Sequence, residues 1–446
     1  MIRRTLSRFA LACALTLAAA LPLRAQVDIQ QVTSPGGIDA WLVEDRNIPF
    51  VALEIRFRGG ASLDDPDKRG AVRLMTGLLE EGAGERDAQG FARAVEGVAA
   101  DFDYSAGDDT VSVSARFLTE TREEAAELLR ASLVAPRFDP EAIERVRAQA
   151  LSAIRSDQQD PGVLASRAFD RLAFGDHPYA TPADGTLESV QALTREDLVA
   201  AHDAALARDR VVVGAAGDIS ADELGLLLDE LLGDLPAEGA PLPGDVAVEM
   251  PGGTRVVEFD TPQSVAVFGH AGLARDDPDF FPAYVLNHIV GGGGFESRLM
   301  QEVREKRGLT YGVYSFLAPK DHAALHMGRV ASANDRIAEA ISVIRDIWRD
   351  VAAGGVTEQE LADAKTYLTG AYPLRFDGNG PIANILVAMQ LDGLPMDYVE
   401  TRNDRVRAIT LEEIDRVAGA LFDPERLTFV VAGQPEGLEG AEALSQ

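Results

Sequence analysis

NHIVGGGGFESRLMQEVREKRGLTYGVYS, Asn287 to Ser315, is the stretch on which the reading of the fold turns. The helical pattern PAYVLNHIV runs straight into four consecutive glycines, Gly291, Gly292, Gly293 and Gly294. Glycine reaches backbone conformations closed to other residues and lets another chain come near, so on composition the run reads as a flexible turn or a point of close approach. A dinucleotide fingerprint follows a strand, whereas these glycines follow a helix, and that reading fits poorly. Further on, Gly308 ends the next helical segment between Arg304 and Tyr311, which are seven residues apart. An arginine fork can hold a carbonyl oxygen, and a tyrosine hydroxyl can donate to a developing oxyanion.

Outward from this stretch the chain is written twice. LDDPD at Leu63 to Asp67 recurs as RDDPD at Arg275 to Asp279, an offset of 212, and TREDL at Thr194 to Leu198 recurs as TLEEI at Thr410 to Ile414, an offset of 216. VVVGAAGD at Val211 to Asp218 answers FVVAGQP at Phe429 to Pro435, with Gly217 and Gly433 again 216 apart. Ordered matches at nearly one offset define two similar lobes. Between them GDLPAEGAPLPGDVAVEMPGG, residues 233–253, is rich in Pro and Gly and lacks helical periodicity, as a linker does. Strand-like segments such as VALEIRFRGG and SVAVFGHAGL lead into long helical runs such as TREEAAELLRASLV and DRIAEAISVIRDIWRDV. Strands gathered apart from helices predict α+β lobes, each a mainly antiparallel sheet with helices covering one face. The expected division is 1–25 for an export signal, 26–232 for the first lobe, 233–253 for the linker and 254–446 for the second lobe.

The export signal rests on a basic start (Arg3, Arg4, Arg8), an apolar run from Phe9 to Leu21 and a small residue, Ala25, before Gln26. The single cysteine, Cys13, falls within it, so the remaining chain carries none, which suits an oxidising periplasm. No later stretch reaches the roughly 18 apolar residues that a spanning helix requires. A formal net charge of −30 repels nucleic acid and anionic lipid and leaves cationic or neutral partners.

The second-lobe sequence from PQSVAVFGHAGL through TYGVYS, together with FGDHPYATPADGTLESVQALTREDL at Phe174 to Leu198, resembles the pitrilysin family of zinc metallopeptidases, which includes insulin-degrading enzyme and the mitochondrial processing peptidase. The resemblance covers essentially the whole chain after the signal. It implies that Arg304 and Tyr311 bind substrate and stabilise the transition state, as the matching residues of the family do. The family's zinc site is an inverted H-x-x-E-H on a first-lobe helix, completed by a distal Glu. Aligned through DDPDKRGAV, that motif falls on RLMTG: Arg73 and Gly77 replace the histidines, Thr76 replaces the general base, and Ala153 stands near the distal Glu. A permanently protonated guanidinium, a hydrogen and a methyl group cannot ligate zinc, so no metal is expected in this chain. Of the six histidines only His322 and His326 in HAALH are close in sequence, and they read as packing or surface residues. No nucleophile elbow, Walker loop or cysteine nucleophile offers another hydrolytic mechanism.

Some members of the family are heterodimers in which one subunit holds zinc and the other supplies second-lobe residues. The resemblance therefore implies the zinc-less subunit of a bacterial, periplasmic heterodimer. Arg304 and Tyr311 would act in trans at the zinc of a homologous partner, and Gly291 to Gly294 would border the substrate path. Oligopeptides or unfolded segments bound as an added strand are the expected substrates. A catalytically inert peptide-binding or scaffold protein of the same fold is the alternative.

Overall fold

The structure is a computed structural model that describes residues 28–444; the expected export signal lies outside the described residues. The first sheet comprises β1 (Gln30–Thr33), β2 (Asp39–Glu44), β3 (Phe50–Arg58), β4 (Asp101–Ala106), β5 (Thr110–Leu118) and β6 (Val211–Gly217), in spatial order β1-β2-β6-β3-β5-β4. The second comprises β7 (Gly253–Glu258), β8 (Gln263–Ala271), β9 (Val313–Pro319), β10 (Ala324–Ala333), β11 (Thr428–Gly433) and β12 (Glu442–Leu444), in order β9-β10-β8-β11-β7-β12. Neighbours pair antiparallel except β2 with β6, β11 with β7 and β7 with β12. Read from its far edge, the first sheet runs β4-β5-β3-β6-β2 and matches β9-β10-β8-β11-β7 strand for strand. The written duplication is thus a duplication of topology, broken only at the edge that β1 and β12 take from opposite ends of the chain.

Gly217 and Gly433 show why part of the repeat is literal. Both sit at positive φ, 130° and 149°, at the end of equivalent strands. A Cβ on Gly217 would lie 2.2 Å from the Phe50 carbonyl oxygen, and one on Gly433 would lie 2.3 Å from Ser264 Oγ. Only glycine lets the strand end cross its neighbour this closely.

Both faces of each sheet are buried, which departs from the expectation of helices on one face. Along β3, Val51, Leu53, Ile55 and Phe57 enter the main core of the first lobe, while Ala52 faces the other way. Along β11, Phe429 and Val431 enter the second lobe's core, while Val430 and Ala432 turn to the opposite face. Each outer face is covered by a helix from the other half of the chain. Helix Pro161–Phe174 lays Ala165, Phe169 and Ala173 on the second sheet, and helix Asn379–Leu391 lays Ile382, Ala383 and Leu386 on the first. Glycines make room for both: a Cβ on Gly214 would come within 2.5 Å of the Ala383 carbonyl oxygen, and one on Gly269 within 3.0 Å of Phe169 Cζ. The lobes are clasped by exchanged helices rather than simply tethered.

Residues 233–252 form neither helix nor strand, yet they are strapped down. The Ala240 amide donates to the Ala204 carbonyl (3.1 Å) and the Val246 amide to the His322 carbonyl (2.9 Å), while Val246, Val248 and Met250 pack under the second sheet. Equivalent hairpin turns also meet between the lobes. Lys320 Nζ lies 2.5 Å from Asp108, and the Asp321 amide donates to Asp109 at 3.3 Å, each pair 212 residues apart, which is the offset of the repeat. Tyr179 fills the junction, donating to Asp109 and accepting from the His322 amide at 3.2 Å.

Candidate functional site

The positions onto which the DDPDKRGAV match lays the family's zinc site fall on and just after helix Ala71–Thr76 and on helix Pro140–Asp157. The short first helix starts after Gly70 (φ 93°) and is capped by buried Asp64, whose carboxylate accepts from the Gly70 and Val72 amides at 2.8 and 2.9 Å. Burial outweighs those bonds and pushes the Asp64 carboxyl up to about 6. Arg73 reaches Asp184 at 2.6 Å in a half-exposed ion pair, of a kind that contributes about 1 kcal/mol at most. Thr76 is buried, and its hydroxyl donates to the Val72 carbonyl of its own helix at 2.8 Å. Gly77 follows with no side chain, and a Cβ there would come within 3.3 Å of Val146. Ala153 presents a methyl group at the surface. Thr76 has the only oxygen among the four, and it is spent on the helix. Among the described residues no group of three or more His, Cys, Asp or Glu is arranged to hold a metal.

The second-lobe constellation is built differently. Helix Phe280–Asn287 opens into a wide turn over His288–Gly292. A Cβ on Gly291 would stand 2.2 Å from Ser315 Oγ and 2.7 Å from the Ser315 amide, so the glycine run is a point of contact with β9 rather than a slack turn. Gly292 is crowded by Asn287 Nδ2 (3.0 Å) and Gly293 by the His288 carbonyl (2.7 Å), whereas Gly294, at φ 59°, is open. Asn287 brackets the turn to the strand. Its amide donates to the Ser315 carbonyl (3.1 Å), and its Oδ1 accepts from Ser315 Oγ (2.7 Å) and His326 Nε2 (2.9 Å). Gly291, Gly292 and Gly294 line a cavity of about 400 Å³ together with Met300 and the start of β9.

Arg304 sits in the turn Met300–Glu305, its guanidinium 4.5 Å from the ring centre of Phe295, the residue after the glycines. Gly308 (φ 61°) then breaks the helix, its amide closing on the Arg304 carbonyl at 2.7 Å. Tyr311 follows, 88% exposed and without a hydrogen bond among the described residues. The structure therefore joins Arg304 to the glycine turn through Phe295, while Tyr311 shows no contact with either among the described residues. Phe295 and Asn287 were not singled out in the sequence, although both flank the glycine run.

The pair HAALH is not a metal site. His326 is wholly buried, and burial first, then His270, holds its imidazole well below its usual range. His322 belongs to the lobe junction. His270 accepts from the Trp348 indole at 3.2 Å and donates to the Ala271 carbonyl at 2.8 Å, which is core packing.

Residues 40–185 match the family described as insulinase (peptidase family M16), and residues 192–368 match the peptidase M16 inactive domain. The chain is similar to a crystal structure of a peptidase M16 inactive domain from Pseudomonas fluorescens, with a TM-score of 0.86 and 30% identity over 93% of this chain and 99% of that one. It is 28% identical to the non-peptidase homologue YmxG of Helicobacter pylori, over 87% of this chain and 90% of that protein. A Helicobacter pylori protease structure shares the fold at a TM-score of 0.83 and 16% identity, covering 91% of this chain and 100% of that one. The chain belongs to the M16 family of peptidases, and residues 192–368 match its domain described as inactive. No helix among the described residues is long and apolar enough to cross a membrane.

Proposed function

We propose that this chain is the zinc-less subunit of a periplasmic heterodimeric metallopeptidase that degrades oligopeptides, inert by itself and supplying Arg304 and Tyr311 to the zinc site of a homologous partner. The observation that carries the reading is a contrast within one chain. At the zinc-site positions, Arg73 and Thr76 are tied to neighbours of their own lobe. In the second lobe Tyr311 stays almost fully exposed and unbonded, and Arg304 is held only by a ring face and a 3.7 Å contact with Glu305. An exposed hydroxyl donor and a guanidinium with spare N–H groups suit a carbonyl oxygen that turns into an oxyanion on another molecule. Zinc, polarised water and general base would come from the partner. Gly291 to Gly294 would border the path of the peptide, which binds as an extended segment.

The second reading, an inert peptide-binding or scaffold protein, is favoured by the similarity to a protein named a non-peptidase homologue. Hydrolysis of a quenched fluorescent oligopeptide separates the two. This chain alone should be inactive, and mixing it with a zinc-bearing homologue from the same organism should raise the rate above that homologue alone. No gain on mixing would leave the scaffold reading.

A further inference from the structure

Beside β9, helix Phe280–Asn287, helix Asn379–Leu391 and helix Tyr398–Ala408 enclose a second cavity of about 370 Å³ whose walls are largely aromatic and which three arginines, Arg275, Arg375 and Arg402, and one carboxylate, Asp392, line. Arg402 forms part of its floor at 5% exposure. Its guanidinium donates to the Leu368 carbonyl (2.8 Å), Asn403 Oδ1 (2.9 Å) and the Tyr284 hydroxyl (3.2 Å), and it lies 4.4 Å from the ring centre of Tyr372. Every one of those partners is neutral. Arg375 lines the same cavity, and Arg405 lines the adjoining one that shares Arg275, Phe281 and Leu394. Arg275 is matched by Asp392 of the same cavity at 3.0 Å, and Asp276, Asp277 and Glu413 line the adjoining cavity with Arg405, whereas Arg375 and Arg402 show no ion pair among the described residues.

A buried cation surrounded by neutral dipoles is costly unless an anion completes it. On a chain whose net charge is −30, Arg375 and Arg402 together in one hollow run against the trend of the surface. The apolar lining from Phe281, Tyr284, Phe316 and Met389 calls for an uncharged side chain next to that anion. Asn287 and Phe316 line this hollow and the glycine-turn cavity alike, so the two adjoin along β9. We infer that the hollow is a terminus pocket: it receives the C-terminal carboxylate and last apolar side chain of a peptide that passes the glycine turn. The choice of a peptide as occupant rests on the function proposed above; the anion and the apolar group rest on the cavity alone. Arginine suits the task because its planar fork can take a carboxylate in two parallel bonds.

The test uses fluorescence anisotropy on the full mature chain without partner. The probe is an N-terminally labelled apolar pentapeptide ending in leucine, compared as the free acid and as the amide. The acid should bind about tenfold or more tightly, the factor expected for losing a charged hydrogen-bonded pair. Arg375→Gln with Arg405→Gln, both at exposed positions, should narrow that ratio, and Arg402→Gln should abolish it. If Arg402→Gln fails to fold, the rim double variant carries the test. Equal binding of acid and amide, binding of neither, or a ratio unmoved in the rim variant would overturn the pocket. Displacement by N-acetyl-leucinate as effective as by the peptide would overturn the peptide and leave a site for small apolar acids. Hydrolysis by the mixture with partner is a separate readout, so acid and amide cleaved alike would refute the pocket while the proposed function stood.

Discussion

At the scale of single residues the chain separates what spacing fixes from what only folding reveals. The expected loss of the zinc site could be read from the sequence because its motif is local: Arg73 and Thr76 lie on one short helix and Gly77 caps it. The partner of Arg73 was not, since Asp184 is 111 residues away. Likewise Asn287 lies four residues before the glycine run, but its value lies in bonds to Ser315 and His326, 28 and 39 residues on. Of the two readings that the glycine run left open, a flexible turn or a point of close approach, Gly291 is the second. Gly291→Ala should therefore lower the unfolding free energy by about 1–3 kcal/mol, the range for overpacking, whereas Gly294→Ala should act through backbone strain without a clash. Chemical denaturation of the two variants checks this, and an unchanged Gly291→Ala would mean that the turn does not touch β9. Asp170, buried near Lys320 and Asp108, makes a pH prediction. Burial first pushes its carboxyl up to about 7, from an unfolded value of 3.8. A raised carboxyl binds its proton more tightly in the fold, so its contribution is full below about 4 and is lost as pH rises through about 7. Asp64 acts with the same sign up to about 6. Melting temperature should thus fall less steeply between pH 4 and pH 7 in Asp170→Asn than in the natural chain.

At the scale of elements, strand order repeats because the sequence repeats. The literal Gly217 and Gly433 mark the points where no other residue fits. Helix exchange was not anticipated, because an apolar helical face shows that a helix packs but not on which sheet. A clue lay in the strands themselves: VVVGAAG and TFVVAG are apolar without alternation, as strands buried on both faces are. Phe169 is fully buried on the second sheet although it belongs to the first half of the chain. Phe169→Ala should cost about 3–5 kcal/mol and, because its helix clasps both lobes, lower one cooperative transition instead of splitting it. Calorimetry showing one lobe melting at its natural temperature in that variant would argue against the clasp.

At the scale of the whole molecule the two lobes have parted in role. Among the described residues the first shows no cluster of His, Cys, Asp or Glu fit for a metal, while the second has an exposed Tyr311, an Arg304 aligned on Phe295 and a glycine turn wedged against β9. The exchanged helices bind the two lobes together. The central claim is chemistry in trans, and the most direct measurement is the saturated rate of peptide hydrolysis by the zinc-bearing homologue mixed with the natural chain, with Arg304→Ala or with Tyr311→Phe, at matched complex formation. The account predicts that each substitution lowers kcat by about 10²- to 10³-fold, the scale for losing one transition-state donor, while the complex still forms. Rates equal to that of the natural mixture in both variants would contradict it.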